Sequence, residues 1–379
     1  MNRRQFFIAL AVLVVLAAAG AAVILSERSA WTSADSRAGQ KAIPGLRLSE
    51  VAEIAIRDSS GELHLARGES GWSVRERGGF AADTDRIAAL LVKLAELKIV
   101  QSEPLPESQR ARLELVEPKD KAAGAGTAIE LKDAKGGSLG RLLLGKKIAK
   151  SSPAAPPSRG ETEATGRYVT LGSEAGTLLA VGEPLTEVGS KPDQWLVKDL
   201  LRADGVKSVS SSRNGKARWS VTRETESADW KFAGSKERPD LQKATDLASS
   251  LGWVNLVDVV ADSKADTGLD RAIVIKADTF DGLSYMLRIG NKAGDNYYVQ
   301  VTVAGDPRKT RTPAKGEKAE DKAKNDKAFD ERRKKLLEQL EREKKLERWV
   351  YLVAKNGLDP LLRDRAGLMP EKKKAAKKG

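Results

Sequence analysis

Hydrophobic and polar positions divide this chain into one continuous apolar block and a long body of short, alternating patterns. Phe6 to Leu25 runs for 20 residues without a charged side chain, directly behind Met1-Asn2-Arg3-Arg4-Gln5. At about 1.5 Å per residue, such a helix spans the roughly 30 Å hydrocarbon core of a bilayer. A helix buried in a soluble core would normally keep a polar face, and this segment has none. Two arginines ahead and a polar body behind predict a cytoplasmic N-terminus and an extracytoplasmic body. The rival reading is a cleaved signal peptide, with Phe6 to Leu16 as its apolar region and Ala17-Ala18-Ala19-Gly20-Ala21 as the cleavage region. Val23-Ile24-Leu25 resumes apolarity beyond that point and favours a retained anchor. Both readings export residues 26–379.

From residue 46 onward the pattern changes to period two. Val51-Ala52-Glu53-Ile54-Ala55-Ile56 alternates, Gly61-Glu62 turns, Leu63-His64-Leu65 alternates again, and Gly71-Trp72-Ser73-Val74 begins a third strand. Asp83-Thr84-Asp85 then opens a helix carrying Ile87, Leu90, Leu91, Leu94 and Leu97, and Ile99-Val100 leads out. About 155 positions later the order returns. Val206 to Ser210, the Asn214-Gly215 turn and Arg218 to Thr222 predict a hairpin. Asp229-Trp230-Lys231-Phe232 follows, and Asp240 opens a helix with Leu241, Ala244, Leu247, Ala248 and Leu251. The second halves correspond as well. Ala128 to Leu131 answers Ala272 to Ile275, Leu142 to Gly145 answers Leu287 to Gly290, and Tyr168 to Leu171 answers Tyr297 to Val301. The expected fold class is α+β, with an N-terminal transmembrane helix followed by two pseudo-repeated units, each of mainly antiparallel strands with a packed helix.

Two segments interrupt that scheme. Lys150 to Gly160, with Pro153, Pro156 and Pro157, reads as a loop inserted in the first unit. Residues 304–348 separate the Tyr-Val strand from the closing strand Trp349 to Val353, which answers Thr177 to Val181. Asp193 to Val197 and Asp359 to Arg363 are expected to form matching short helices. From Ala314 to Arg348 the insertion holds 13 Lys or Arg and 10 Asp or Glu. Phe329, Leu336, Leu337, Leu340 and Leu346 make a narrow stripe that predicts a helix from about Asp326. It reads as a solvated helix laced with ion pairs, or as a projecting arm that meets a partner through the stripe. The expected organisation is 1–25 n-region and anchor, 26–45 linker, 46–203 first unit, 204–303 plus 349–369 second unit, 304–348 insertion and 370–379 basic tail.

Composition narrows the chemistry. The chain has 379 residues, no cysteine, one histidine and a net charge of +13. Thiol catalysis and cysteine-based metal sites are excluded, and the body is held by cores rather than disulfides. His64 alternates with Leu63 and Leu65 and reads as a surface or edge residue. Lys372 to Lys374 with Lys377 and Lys378 put five cations in the last eight residues, a solvated basic tail. Export and the lack of interleaved aromatics argue against nucleic acid. Gly124-Ala125-Gly126 lacks the Lys-Ser/Thr of a phosphate loop, and Asp262, Asp266 and Asp270 are too widely spaced for a calcium loop. Trp72, Trp219, Trp230, Trp253 and Trp349 could stack on sugars, but their strand positions favour cores. The sequence nominates no catalytic, cofactor-binding or metal-ligating residue and no cofactor, and leaves partner-binding residues unknown.

The Trp strand with its helix (Gly71 to Val74, Asp83 to Leu97), Thr267-Gly268-Leu269-Asp270, Leu287-Arg288-Ile289-Gly290 with Tyr297-Tyr298-Val299, and Trp349-Val350-Tyr351 carry a family resemblance. From the anchor to Met369 the chain resembles domain of unknown function family 4340, bacterial proteins with one transmembrane helix and a duplicated extracytoplasmic body. That resemblance implies an accessory role, because such proteins are often encoded beside ABC-type transport components of the gliding-motility kind. It implies no catalytic residue, and the insertion 304–348 departs from its simplest pattern. The leading expectation is a non-enzymatic accessory protein of a transport or envelope complex, held in a bacterial inner membrane through residues 6–25 and partnered by integral membrane or envelope proteins, ABC transporter components among them. The alternatives are a binding module for cell-wall polymer or anionic lipid, and a hydrolase with an unmarked carboxylate pair.

Overall fold

The computed structural model describes residues 37–119, 122–149, 164–261, 264–313 and 317–371. Phe6 to Leu25, the proline loop from Lys150 and the basic tail from Lys372 lie outside the described residues. Among the described residues, no helix is long and apolar enough to cross a membrane. The chain forms two α+β units that meet in sequence between Trp195 and Leu196. That division falls before the expected one at 203/204, because Asp199–Leu201 pairs with Val254–Asn255 of the second unit.

The first unit is one nine-stranded antiparallel sheet. In chain order its strands are β1 (Glu53–Asp58), β2 (Gly61–Gly68), β3 (Gly71–Val74), β4 (Phe80–Ala81), β5 (Ile99–Pro104), β6 (Thr127–Lys132), β7 (Ser138–Ala149), β8 (Ala164–Leu171) and β9 (Glu174–Val181). In space they run β4-β3-β2-β1-β6-β7-β8-β9-β5. Alternation makes the core: Ile54, Ile56, Leu63, Leu65, Leu144, Val169 and Leu179 have no exposed surface. The intervening residues Ala128 and Leu143 belong to a second cluster with Leu105, Leu113, Leu115 and Leu178. The sheet is therefore covered on both faces, the second by the chain between β5 and β6. Helix α1 (Thr84–Glu96) buries Ile87, Leu90, Leu91 and Leu94, and Asp83 caps it by accepting from Arg86 N–H at 3.0 Å.

The second unit is also a nine-stranded antiparallel sheet, with strands β10 (Asp199–Leu201), β11 (Val206–Arg213), β12 (Lys216–Thr222), β13 (Lys231–Phe232), β14 (Val254–Val259), β15 (Ile273–Thr279), β16 (Leu283–Ala293), β17 (Asn296–Gly305) and β18 (Tyr351–Ala354). Their order is β10-β14-β18-β17-β16-β15-β11-β12-β13. Helix α2 (Leu241–Gly252) buries Ala244, Leu247 and Leu251 under an Asp240 cap. It packs against β11 and against helix α4 (Lys355–Leu362).

Between β17 and β18 lies helix α3 (Ala319–Lys344), which begins ahead of the expected Asp326. The Arg311 guanidinium explains the early start: it donates to Glu317 at 2.7 Å and to Asp326 at 2.8 Å, bracing the first turns. The helix is no free arm. It runs along β17, with Leu340 almost completely buried and Phe329, Arg333 and Leu336 half-buried. The apolar stripe is thus used within the unit. The short helix expected at Asp193 to Val197 is a single 3-10 turn, Pro192–Trp195.

Candidate functional site

Where α3 crosses the second sheet it roofs a cavity of about 180 Å³. Asp204 comes from the turn before β11, Thr279 from the end of β15, Asp281 from the β15–β16 turn, Tyr285 from β16, and Arg332, Lys335 and Gln339 from α3. Strand alternation turns Tyr285 inwards with Leu287 and Ile289, and helical spacing puts Gln339 and Glu343 one turn apart on the docked face.

Behind the lining residues Tyr285 and Gln339 lies an acid unusually enclosed for a charged group. Glu343 is only 6% exposed, and its Oε1 accepts from the Gln339 side-chain amide at 2.9 Å. The same amide reaches the Tyr285 hydroxyl at 3.3 Å and the Arg202 carbonyl at 3.3 Å. The other carboxyl oxygen, Oε2, has no hydrogen-bond partner among the described residues. Burial pushes the Glu343 carboxyl above its ordinary value, against the hydrogen bonds from Gln339 and Tyr285. Burial also holds the Tyr285 phenol well above its usual range, reinforced by the neighbouring Glu343 charge. At the rim, Arg332 donates to Asp281 at 2.7 Å, and Arg202 lies 3.7 Å from Asp204.

Two acids, Asp204 and Asp281, do line one cavity, as a carboxylate-pair hydrolase requires. Each is matched by an arginine, an arrangement suited to holding the helix on the sheet or to receiving a polar group. The acid whose carboxyl burial pushes upward is Glu343, and sequence reasoning passed over it. Its cue was present: a glutamine and a glutamate interrupt the apolar stripe at Gln339 and Glu343, on the face that carries Leu336 and Leu340.

The residues singled out by sequence lie elsewhere. His64 is on β2, an inner strand, with a half-buried side chain, so of the expected surface or edge position only the edge is corrected; its Nδ1 lies 2.8 Å from Glu76 and its Nε2 3.6 Å from Glu62. Among the described residues no group of three or more His, Cys, Asp or Glu side chains is placed to hold a metal. Trp72, Trp219 and Trp230 are buried, and the Trp219 indole donates to the Arg363 carbonyl at 2.8 Å. Trp253 corrects the expectation of a core position: it is 63% exposed, and the Arg202 guanidinium stacks 4.7 Å from its ring centre. It follows α2 directly, with an irregular backbone that turns it outward before β14 starts.

Residues 72–272, from β3 to the residue before β15, match the family model described as domain of unknown function, DUF4340. The chain belongs to this family. No curated protein and no solved structure matches it. The DUF4340 match crosses the division between the two units and stops ahead of α3, so the roofed cavity combines family sequence (Asp204) with residues beyond the matched stretch.

Proposed function

We propose that this DUF4340 protein is a non-enzymatic accessory protein of a transport or envelope complex, anchored in a bacterial inner membrane by a single helix at residues 6–25, with its body in the periplasm. The observation that carries the reading is the uncharged Phe6 to Leu25 segment behind Arg3 and Arg4, followed by a body of broad antiparallel sheets. A protein held at one membrane face by one helix acts on what lies beside it. The outward face of α3, rich in both signs of charge, and the exposed Trp253 under Arg202 are its best-suited protein-contact surfaces. Among partners, the family resemblance favours ABC-type transport components.

The body is read as a duplication. In support, β3-β2-β1-β6-β7-β8-β9-β5 and β13-β12-β11-β15-β16-β17-β18-β14 follow the same connectivity. Each helix-capping aspartate donates its own N–H to the closing turn of its unit, Asp83 to Trp195 and Asp240 to Leu368. The fifth strand in each order, β7 and β16, carries the same bulge: pairing slips between Leu144 and Lys147 and between Ile289 and Lys292. At both bulges a glycine lies against a crossing segment, and the next N–H donates to that segment at 2.8 Å, Lys146 to Leu113 and Asn291 to Thr267.

Affinity capture of the full chain from native membranes tests the functional reading. It is expected to recover an integral membrane permease when the anchor is intact and to lose it when residues 1–25 are removed. Recovery of no membrane protein above background would count decisively against an accessory role.

A further inference from the structure

The second sheet carries a recess, separate from the α3 cavity, whose polar residues Arg213 and Tyr297 differ from their counterparts in the first sheet. Pairing registers align the two units at this place. Ile56 pairs with Ile129 and Leu63, Ser211 with Ile275 and Trp219, so Asp58 in the first sheet corresponds to Arg213 in the second. Beyond the bulge, Lys147 pairs with Arg167 and Lys292 with Tyr297, so Arg167 corresponds to Tyr297.

In the first unit the chain after β9 satisfies both groups. Ser190 donates to Asp58 through its N–H at 2.9 Å and its hydroxyl at 2.6 Å. Arg167 is buried and donates to the carbonyls of Gly145 at 2.7 Å and Leu185 at 3.1 Å. In the second unit the equivalent stretch after β18 is helix α4, which contributes only Leu362. A recess of about 360 Å³ opens there between Arg213, Arg271, Tyr297, Asn291 and the apolar side chains Ile273 and Ile289. The exposed Arg213 guanidinium has no ion-pair or hydrogen-bond partner among the described residues, and that of Arg271 meets only its neighbour Asp270, at 3.4 Å.

We infer that this recess binds an anionic group, carboxylate or phosphate, carried on a short apolar body. Guanidinium forks from Arg213 and Arg271 match the paired oxygens of either anion, and the Tyr297 hydroxyl adds a donor. Ile273, Ile289 and Leu362 supply the apolar wall that an inorganic anion would not need. The recess and its arginines stand whether or not the two units share an origin, and whether or not a permease is captured.

Calorimetric titration of the purified full chain tests the site with benzoate, phenyl phosphate, inorganic phosphate and uncharged benzamide. One of the two aromatic anions is expected to saturate at one per chain, about tenfold more tightly than benzamide or inorganic phosphate. The tighter of the two identifies the source as a carboxylate or a phosphate ester. Arg213→Gln combined with Arg271→Gln should weaken it about tenfold or more, and Tyr297→Phe, which preserves the packing, about threefold. Arg75→Gln, an exposed arginine of the first unit, should leave binding unchanged. Absence of saturable binding overturns the site. So does equal binding of benzamide, or a loss in Arg75→Gln as large as that in the double variant.

Discussion

Gly145→Ala and Gly290→Ala test the role assigned to the two bulges. A Cβ at Gly145 would stand 2.4 Å from the Leu113 carbonyl oxygen, and one at Gly290 2.1 Å from that of Thr267. The nearest obstructing atom is backbone at both positions, so rotating a side chain away does not relieve the clash. The crossing segment must lift, which breaks the 2.8 Å bond from Lys146 or Asn291. Overpacking costs about 1–3 kcal/mol, and the lost hydrogen bond adds about 0.5–1.5 kcal/mol. The less flexible unfolded chain returns about 0.4–1 kcal/mol. A net loss of about 2–3 kcal/mol lowers a urea midpoint by about 1 M at a typical slope of about 2 kcal/mol per M. The assay is urea unfolding followed by tryptophan fluorescence, read on the transition of the unit carrying the substitution. Gly176→Ala is the control: it lies on β9, and no atom would come within 4 Å of its new Cβ. If the Gly145 and Gly290 variants unfold with Gly176→Ala and wild type, the crossing segments do not depend on these glycines and the packing argument fails.

Asp83→Ala and Asp240→Ala each remove a helix cap and should cost about 1 kcal/mol, within a range of about 0.5–2, in the same assay. Glu343→Gln addresses pH. The folded carboxyl holds its proton above the ordinary value of 4.5, so its favourable contribution is complete below pH 4.5 and is lost as pH rises through the folded value. The variant should therefore be more stable than wild type at pH 7 and should lack that decline, checked by unfolding midpoints from pH 4 to 8; a parallel decline in both proteins would contradict it. Leu340→Ala, at a position 3% exposed, should cost about 2–4 kcal/mol and speed hydrogen exchange across α3 ahead of the sheet.

Period and punctuation made most of the body legible. Strands such as Glu53–Asp58 and Ile273–Thr279 follow simple alternation, and both capped helices begin where Asp83 and Asp240 sit. Residues 196–203 were harder to assign. Sequence placed them with the first unit because they follow its last turn, yet the ladder of β10 on β14 attaches them to the second. Trp253 misled for a related reason: it sits beside an apolar strand, but the helix end reorients it before the ladder begins. The α3 cavity was least legible. Asp204, Asp281, Tyr285 and Gln339 occupy separate stretches with no fixed spacing, and only the strand order and a docked helix assemble them.

The two sheets differ most where chain leaves β9 and β18, and this bears on what each unit does. In the first, residues 182–195 return to the sheet, and Ser190, Leu185 and Trp195 close its polar ends internally. In the second, α3 enters before the last strand and α4 follows it, so a buried acid sits under one and an arginine-lined recess lies beside the other. Strain and desolvation are tolerated at functional places and removed elsewhere. Glu343, buried with one unpartnered carboxyl oxygen, is such a group and falls in the second unit. On the duplicated reading, the first unit closes Asp58 and Arg167 internally, and the second carries the surfaces that meet other molecules. Substitutions at Arg213 and Arg271 should then alter binding with little effect on folding, whereas Arg167 and Asp58 should do the reverse.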